Sequence, residues 1–444
     1  MPAKNYLLLS LAILLCACGS GSALYSSVAN APSSSPPAPP APQAAPPSEG
    51  YLRGTRALKK FLLDGEYLPL RDFEISYVRN KAAENLLPDA ILNAFISTRD
   101  TKADQAWDMG WTGRDVKVGH LDDFIGTGAH GDFTVSVTFQ VAPEIDHSAQ
   151  QVSFGCDLAP GTQSRQILAA YNQFNDNGYH IVNNSFGGSR YNHGFCGGPE
   201  RLLSEAIWTN AINDTIRDPV FRNFAGIINE TTSYDENMLF VFAAGNDAEF
   251  CFGGVGACNL GAASLLKLRE TEPEAGARVL FVSSISDASR DTANQTILAA
   301  YAHPAGALKN DFIVAHDDVF NAVDAIGTSC AAPRVVGAAA LVRQKFPSLN
   351  GAGLKQVLLQ SADDLGAQGV DEVFGHGRLN VINALSPIGG LARCNSCFFF
   401  AYCFSRPQRK RRSYSRSIFC SASTMCKPAI AIAPLMFGRV GFAR

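Results

Sequence analysis

The sequence predicts an α/β domain, a mostly parallel β-sheet with helices on both faces. Three observations lead there. Short apolar runs, Val116-Lys117-Val118-Gly119-His120-Leu121, Ile181-Val182, Leu239-Phe240-Val241-Phe242 and Val279-Leu280-Phe281-Val282, have the length of buried strands. Helical patterns lie between and after them, at Ile167 to Phe174, Leu202 to Ile212 and Leu354 to Gln360. The small-residue run Arg334-Val335-Val336-Gly337-Ala338-Ala339-Ala340-Leu341 reads as a further helix, whose Ala and Gly let neighbours approach closely. Short buried strands alternating with helices imply parallel crossovers, and a parallel sheet is covered on both sides. No internal repeat is visible.

In chain order, Lys4 opens a short positive start and Tyr6 to Leu15 form an apolar run too short to span a bilayer. The run ends in Leu15-Cys16-Ala17-Cys18-Gly19, which resembles the lipobox of bacterial lipoproteins. That resemblance implies a signal peptide over 1–17 and lipidation of Cys18. With Gly19 rather than Asp beside the cysteine, it also implies an outer-membrane lipoprotein, periplasmic or surface-facing. Residues 18–50 are mainly Ser, Pro and Ala with almost no charge, a composition that forms an extended tether and no core. Residues 51–88 read as a charged, partly helical arm or propeptide, a choice the sequence leaves open. The main domain is expected over 89–388. The remaining 389–444 has no Asp or Glu from Leu391 onward, holds five of the 12 cysteines and carries Arg409-Lys410-Arg411-Arg412, so it is expected to form no packed domain.

Four stretches carry chemistry. Asp122 ends a strand, where open α/β sheets place functional residues, and it is in phase with Val116 and Val118, which favours it over Asp123. His130-Gly131 supplies a base, with Asp132 as the expected helix cap. Asn246, just past the strand from Leu239, can donate to an oxyanion. Ser329 stands at the mouth of the small-residue helix, in the positive end of its field, and Pro333 is expected in the first turn, where its missing N–H is not needed. Asn183-Asn184-Ser185-Phe186-Gly187-Gly188 reads as an edge segment able to pair with an extended peptide. The bland readings are a solvated Asp-Asp turn, a structural histidine, a turn Asn and a serine that merely caps a helix. Together, in the order Asp, His, Asn, Ser, the four stretches favour the catalytic reading.

The set resembles the subtilisin-like serine proteases, the subtilase family, over roughly Trp107 to Leu385. The resemblance rests on Leu121-Asp122, His130-Gly131 with Val141-Ala142-Pro143, Asn184-Ser185-Phe186-Gly187, Gly245-Asn246 and Gly327-Thr328-Ser329 with Ala331-Ala332-Pro333. It implies a subtilisin-like fold, peptide-bond hydrolysis by Asp122, His130 and Ser329, an oxyanion donor in Asn246, and substrate binding by Ser185, Phe186, Gly187, Ala244 and Gly245. Two departures stand out. Asp123-Phe124 replaces the usual Thr-Gly, and Asp122 and His130 are eight residues apart instead of a few tens. Eight residues reach about 26 Å, enough for the side chains to meet. The lost surface elsewhere helps bind calcium, so no metal or other cofactor is expected. Thr134-Val135-Ser136-Val137-Thr138 is β-branched and alternating where the family has a helix, and a helix is expected here on the family's authority.

A formal charge of −3 gives no reason to expect a nucleic-acid partner. The expected partners are protein or peptide substrates and a membrane lipid anchor, with the chain a monomer. In an oxidising compartment Cys251 with Cys258 could close a small loop, Cys156 with Cys196 is a second pairing, and Cys330 is expected to be a buried thiol. The competing reading is a catalytically weak or inactive subtilase-fold surface lipoprotein acting in binding, its site spoiled by the short Asp-to-His loop. A lipase lacks support because no Gly-x-Ser-x-Gly surrounds Ser329.

Overall fold

The computed structural model describes residues 48–64, 101–125, 129–154, 162–192, 199–226, 234–290, 296–317 and 327–387, with the backbone of three later strands. The signal run, Cys18, residues 19–47 of the tether, Cys156 and Cys196 lie outside the described residues, and the expected end of the tether at 50 falls inside α1 (Glu49–Asp64). In order, the elements are α1 (Glu49–Asp64), α2 (Ala103–Asp108), β1 (Lys117–Asp122), α3 (His130–Val141), β2 (Asp146–Gln151), α4 (Thr162–Asp176) and β3 (Ile181–Asn184). Next come β4 (Tyr191–Asn192), β5 (Arg201–Leu202), α5 (Glu205–Thr215), α6 (Pro219–Phe224), β6 (Leu239–Ala243), α7 (Val255–Cys258) and α8 (Leu260–Arg269). The domain closes with β7 (Val279–Arg290), β8 (Thr296–Leu298), β9 (Phe312–His316), α9 (Thr328–Lys345), α10 (Gly351–Gln360) and α11 (Val381–Leu385).

The sheet runs β2-β1-β3-β6-β7, all parallel, and β9 joins β7 in parallel over Phe281 to Ile285. Among the described residues β8 alone is antiparallel in this sheet, against the far half of β7. Alternation along the strands feeds two cores. Val118, Ile181, Val241, Val282 and Ile313 face α3, α9 and α10, whereas Leu121, Val182, Phe240, Phe281 and Val314 face α4, α6 and α8. The sheet is therefore mostly parallel and covered on both faces. Its register sets Leu121 beside Asn184 and Asn184 beside Phe242, so β1, β3 and β6 end level along one carboxyl edge.

Helix α9 is buried from Thr328 to Val342. A Cβ on Gly337 would lie 2.6 Å from Val141 Cβ and 3.0 Å from Thr138 O, so glycine is what lets α3 and α9 cross this closely. Helix α3 forms despite its β-branched run. The hydroxyls of Thr134, Ser136 and Thr138 turn back to the carbonyls of Gly131, Phe133 and Thr134, and the buried site against α9 outweighs strand propensity. Asp132 falls in the first turn and is not the cap, since the N-cap position is Ala129.

Two further expectations shift. The helix read from Leu202 begins at Glu205, where the Ser204 side chain accepts from Ile207 N–H, and Leu202 belongs to β5. Pro333 is the sixth residue of α9, past the first turn, so the carbonyl of Ser329 loses its helical donor. Ser185 Oγ–H donates to that carbonyl at 2.8 Å instead.

Helix α1 packs on the domain. Leu58 is fully buried, a Cβ on Gly54 would meet the Trp107 ring at 2.8 Å, and Arg53 pairs with Glu144 at 2.8 Å. Beyond 387 the backbone forms an antiparallel sheet of β10 (Leu391–Cys394), β11 (Cys397–Arg406) and β12 (Ser417–Ser423), strands not foreseen in a tail read by its charge. Among the described residues no helix is long and apolar enough to cross a membrane.

Candidate active site

At the carboxyl edge of the sheet lies a cleft of about 400 Å³. Asp122, His130, Ser185, Phe186, Gly187, Gly245, Asn246 and Ser329 all line it. Asp122 is nearly fully buried at the end of β1, and His130 opens α3 with its imidazole half exposed to the cleft. His130 Nδ1 lies 2.6 Å from Asp122 Oδ1, which also accepts the Asp123 N–H at 2.8 Å. The eight-residue connection therefore suffices. Asp123 also lines the cleft, and its Oδ1 accepts from Gln151 Nε2 and Ile125 N–H and not from His130.

Burial raises the Asp122 carboxyl above its ordinary range, against the pull of the His130 hydrogen bond and charge. For His130, burial pulls the imidazole down, but the hydrogen bond to Asp122 and the charges of Asp122 and Asp123 prevail, and its pKa lies above the usual 6.5. The hydrogen bond uses Nδ1, so Nε2 remains available on the ring.

Ser329 is the second residue of α9, buried except toward the cleft. Asn246 Oδ1 accepts from both Thr328 N–H and Thr328 Oγ1–H at 2.9 Å, which fixes the amide. Thr328 Oγ1 in turn accepts from Gly245 N–H at 3.0 Å. A Cβ on Gly327 would lie 3.0 Å from Asn246 Nδ2 and 3.3 Å from Ser329 Oγ, at a φ of +147° that favours glycine. The amide donor and the hydroxyl thus flank one bare backbone carbon.

Ala244, expected at the substrate site, lies in the core behind β6 with its N–H donating to Val282 O, and Ala243 lines the cleft. Strand alternation turns one of the two inward and the other outward. Thr328, although adjacent to Ser329 in the sequence, carries no linear sign of its role in holding Asn246. Asn259 and His303 also line the cleft, from connecting segments without periodicity. Asn259 Nδ2 lies 3.4 Å from both Ala243 O and Ala244 O, and a Cβ on Gly187 would meet it at 2.7 Å, so this side chain sits between the two walls of the cleft. The disulfide Cys251–Cys258 closes the loop beside it, and Cys330 is a buried thiol outside any disulfide, pushed up to about 12 by burial. Among the described residues no group of three His, Cys, Asp or Glu is placed to hold a metal ion.

The chain is similar to known proteins. The model of the subtilase family, peptidase S8, matches residues 125–377, more than half of the chain, starting three residues after Asp122. Over 66 residues the chain is 44% identical to the Neisserial autotransporter lipoprotein NalP of Neisseria meningitidis serogroup B, covering 15% of this chain and 6% of that protein. It is 43% identical over 60 residues to an extracellular serine protease of Serratia marcescens, covering 14% of this chain and 6% of the relative. Among solved structures, a lanthipeptide protease is similar at 19% identity and a TM-score of 0.43, covering 67% of this chain and 96% of that one.

Proposed function

Since the chain belongs to the subtilase family, we propose that it is a serine endopeptidase acting through Asp122, His130 and Ser329. Ser329 Oγ attacks the carbonyl carbon of a peptide bond while His130 Nε2 takes the hydroxyl proton. Asp122 holds the Nδ1–H tautomer and stabilises the imidazolium that forms. Asn246 Nδ2 and the Ser329 N–H, an amide of the first helical turn, donate to the oxyanion. The imidazolium then protonates the leaving amine, and water, activated by the same imidazole, hydrolyses the acyl-enzyme.

The observation that carries this reading is the 2.6 Å pairing of Asp122 with His130 in the cleft that also holds Ser329. A fluorophosphonate is expected to label the wild type on Ser329. Ser329→Ala is expected to lose the label and nearly all cleavage of casein while keeping its fold. Wild-type cleavage by that variant would refute the assignment.

The substrates are proteins or peptides, the enzyme is a monomer, and no nucleic acid is engaged. Cys18, once lipidated, anchors the domain to the outer membrane through the 18–50 tether. The apolar run ahead of Cys18 supports this, as does the match to a relative named an autotransporter lipoprotein. Radiolabelled palmitate is expected to enter the wild type and not Cys18→Ser; equal incorporation would refute the anchor.

A further inference from the structure

We propose that His303, at the floor of the cleft, selects the substrate side chain next to the scissile bond, and that the side chain it selects is the uncharged primary amide of glutamine. This rests on the endopeptidase reading, because it needs a substrate carbonyl placed at Ser329.

His303 is 1% exposed, and neither ring nitrogen has a hydrogen-bond partner within the protein. Its backbone, by contrast, is tied down: His303 N–H donates to Gly245 O at 3.4 Å, and His303 O accepts from Ser283 Oγ–H at 2.7 Å. The ring therefore has a fixed origin and an unmet need. Buried polar groups without partners are few in native proteins, and each calls for a reason. Here the position of the ring supplies one. A Cβ on Gly245 would meet His303 Cδ2 at 2.9 Å and Nε2 at 3.4 Å, so the Nε2 edge lies against the residue that precedes Asn246. His303 and Gly245 line the same cleft as Ser329. Three of the residues that line the cleft with it are glycines, Gly187, Gly188 and Gly245, which carry no side chain to fill the space before the ring.

The chemistry of the floor selects among side chains. Burial holds the imidazole below its ordinary pKa, against the pull of Asp247, so the ring is neutral and offers no positive charge. A carboxylate would meet Asp247, which lines the same cleft. An ammonium brings donors only and must shed its water. An apolar side chain leaves Nε2 as unpaired as before. A primary amide brings a carbonyl oxygen that accepts from Nε2–H, and an N–H₂ that remains to donate to a carboxylate such as Asp247. Glutamine has the longer reach to the floor.

The test uses peptides identical except for Ala, Gln, Met, Glu or Lys before the scissile bond. One hydrogen bond made at a buried neutral group is expected to give Gln about a tenfold higher kcat/KM than the near-isosteric Met. His303→Ala is expected to bring Gln down to the Met value, the ratio of the two peptides within the variant being the readout. A wild-type preference for Met, Glu or Lys over Gln overturns the inference, whether or not the variant folds, and so does a Gln preference that survives in His303→Ala. Cleavage of the Ala peptide without any Gln preference refutes this inference alone. Absence of all cleavage, with no fluorophosphonate label on Ser329, refutes the endopeptidase reading and this inference with it.

Discussion

Ser185 and Pro333 make a coupled pair that stability measurements can resolve. Pro333 cannot donate to Ser329 O, and Ser185 Oγ–H does so at 2.8 Å while accepting from Asn183 Nδ2 at 2.9 Å. Ser185→Ala would therefore strand two groups at once, a carbonyl of the α9 first turn and the buried Asn183 amide. At about 1 to 2 kcal/mol for each unsatisfied group, in the lower part of the usual range because the cleft admits water, the cost is about 2 to 4 kcal/mol. Pro333→Ala restores a backbone N–H four residues past Ser329, which meets the carbonyl's share and leaves the amide's. The cost of Ser185→Ala in that background is expected to fall by about half, a coupling of about 1 to 2 kcal/mol. Urea denaturation of the four members of the cycle measures it, each carrying Ser329→Ala to prevent self-digestion. An equal cost of Ser185→Ala in both backgrounds would show that the hydroxyl does not stand in for the missing helical donor.

Three further outcomes follow from the geometry. Asn246→Ala is expected to lower kcat by about 10²- to 10³-fold with little change in KM, and Thr328→Val, which removes the hydroxyl donor to Asn246 Oδ1 and leaves only the backbone N–H, to lower kcat less but in the same sense while Thr328→Ser retains it; steady-state kinetics on one peptide would show it. The acid limb of kcat/KM is expected to centre above 6.5, because His130 must be neutral to accept a proton and its pKa is raised, so activity is gained as pH rises through that higher value. Asp122→Asn is expected to move the limb down and cut the rate by about 10⁴-fold, and a wild-type limb below 6.5 would contradict the pairing. Leu58→Ala in α1 is expected to cost about 2 to 5 kcal/mol in denaturant, as for any fully buried leucine, and a loss under about 0.5 kcal/mol would show that α1 does not pack on the domain.

The parts of this molecule legible in its sequence are those decided by one-dimensional pattern. The apolar runs at Val118, Ile181, Leu239 and Val279 are strands, and Val118 and Asp122 share a face of β1, the phase on which Asp122 was preferred to Asp123. The short reach from Asp122 to His130 was a matter of chain length. What the pattern misjudged or passed over depends on a distant partner. The residues from Thr134 to Thr138 alternate like a strand, yet they lie in a helix because α9 stacks on them, with Thr138 Oγ1 at 3.2 Å from Pro333 O. His303 and Asn259 reach the cleft from connecting segments in which no periodicity marks them.

Ser185 and Pro333 show why such residues escape a linear reading. Each was visible in the sequence, Ser185 as part of a substrate-binding edge and Pro333 as a tolerable helix residue, but the reason for either is the other, 148 positions away. The proline strips a donor from the carbonyl of Ser329, and the serine that supplies one extends from the end of β3, the strand next to β1 and β6. Ser185 therefore fixes the backbone of the proposed nucleophile as well as lining its cleft. An activity lost in a Ser185 variant cannot be assigned to substrate contact until its stability is known, whereas a loss that Pro333→Ala reverses belongs to the positioning of Ser329.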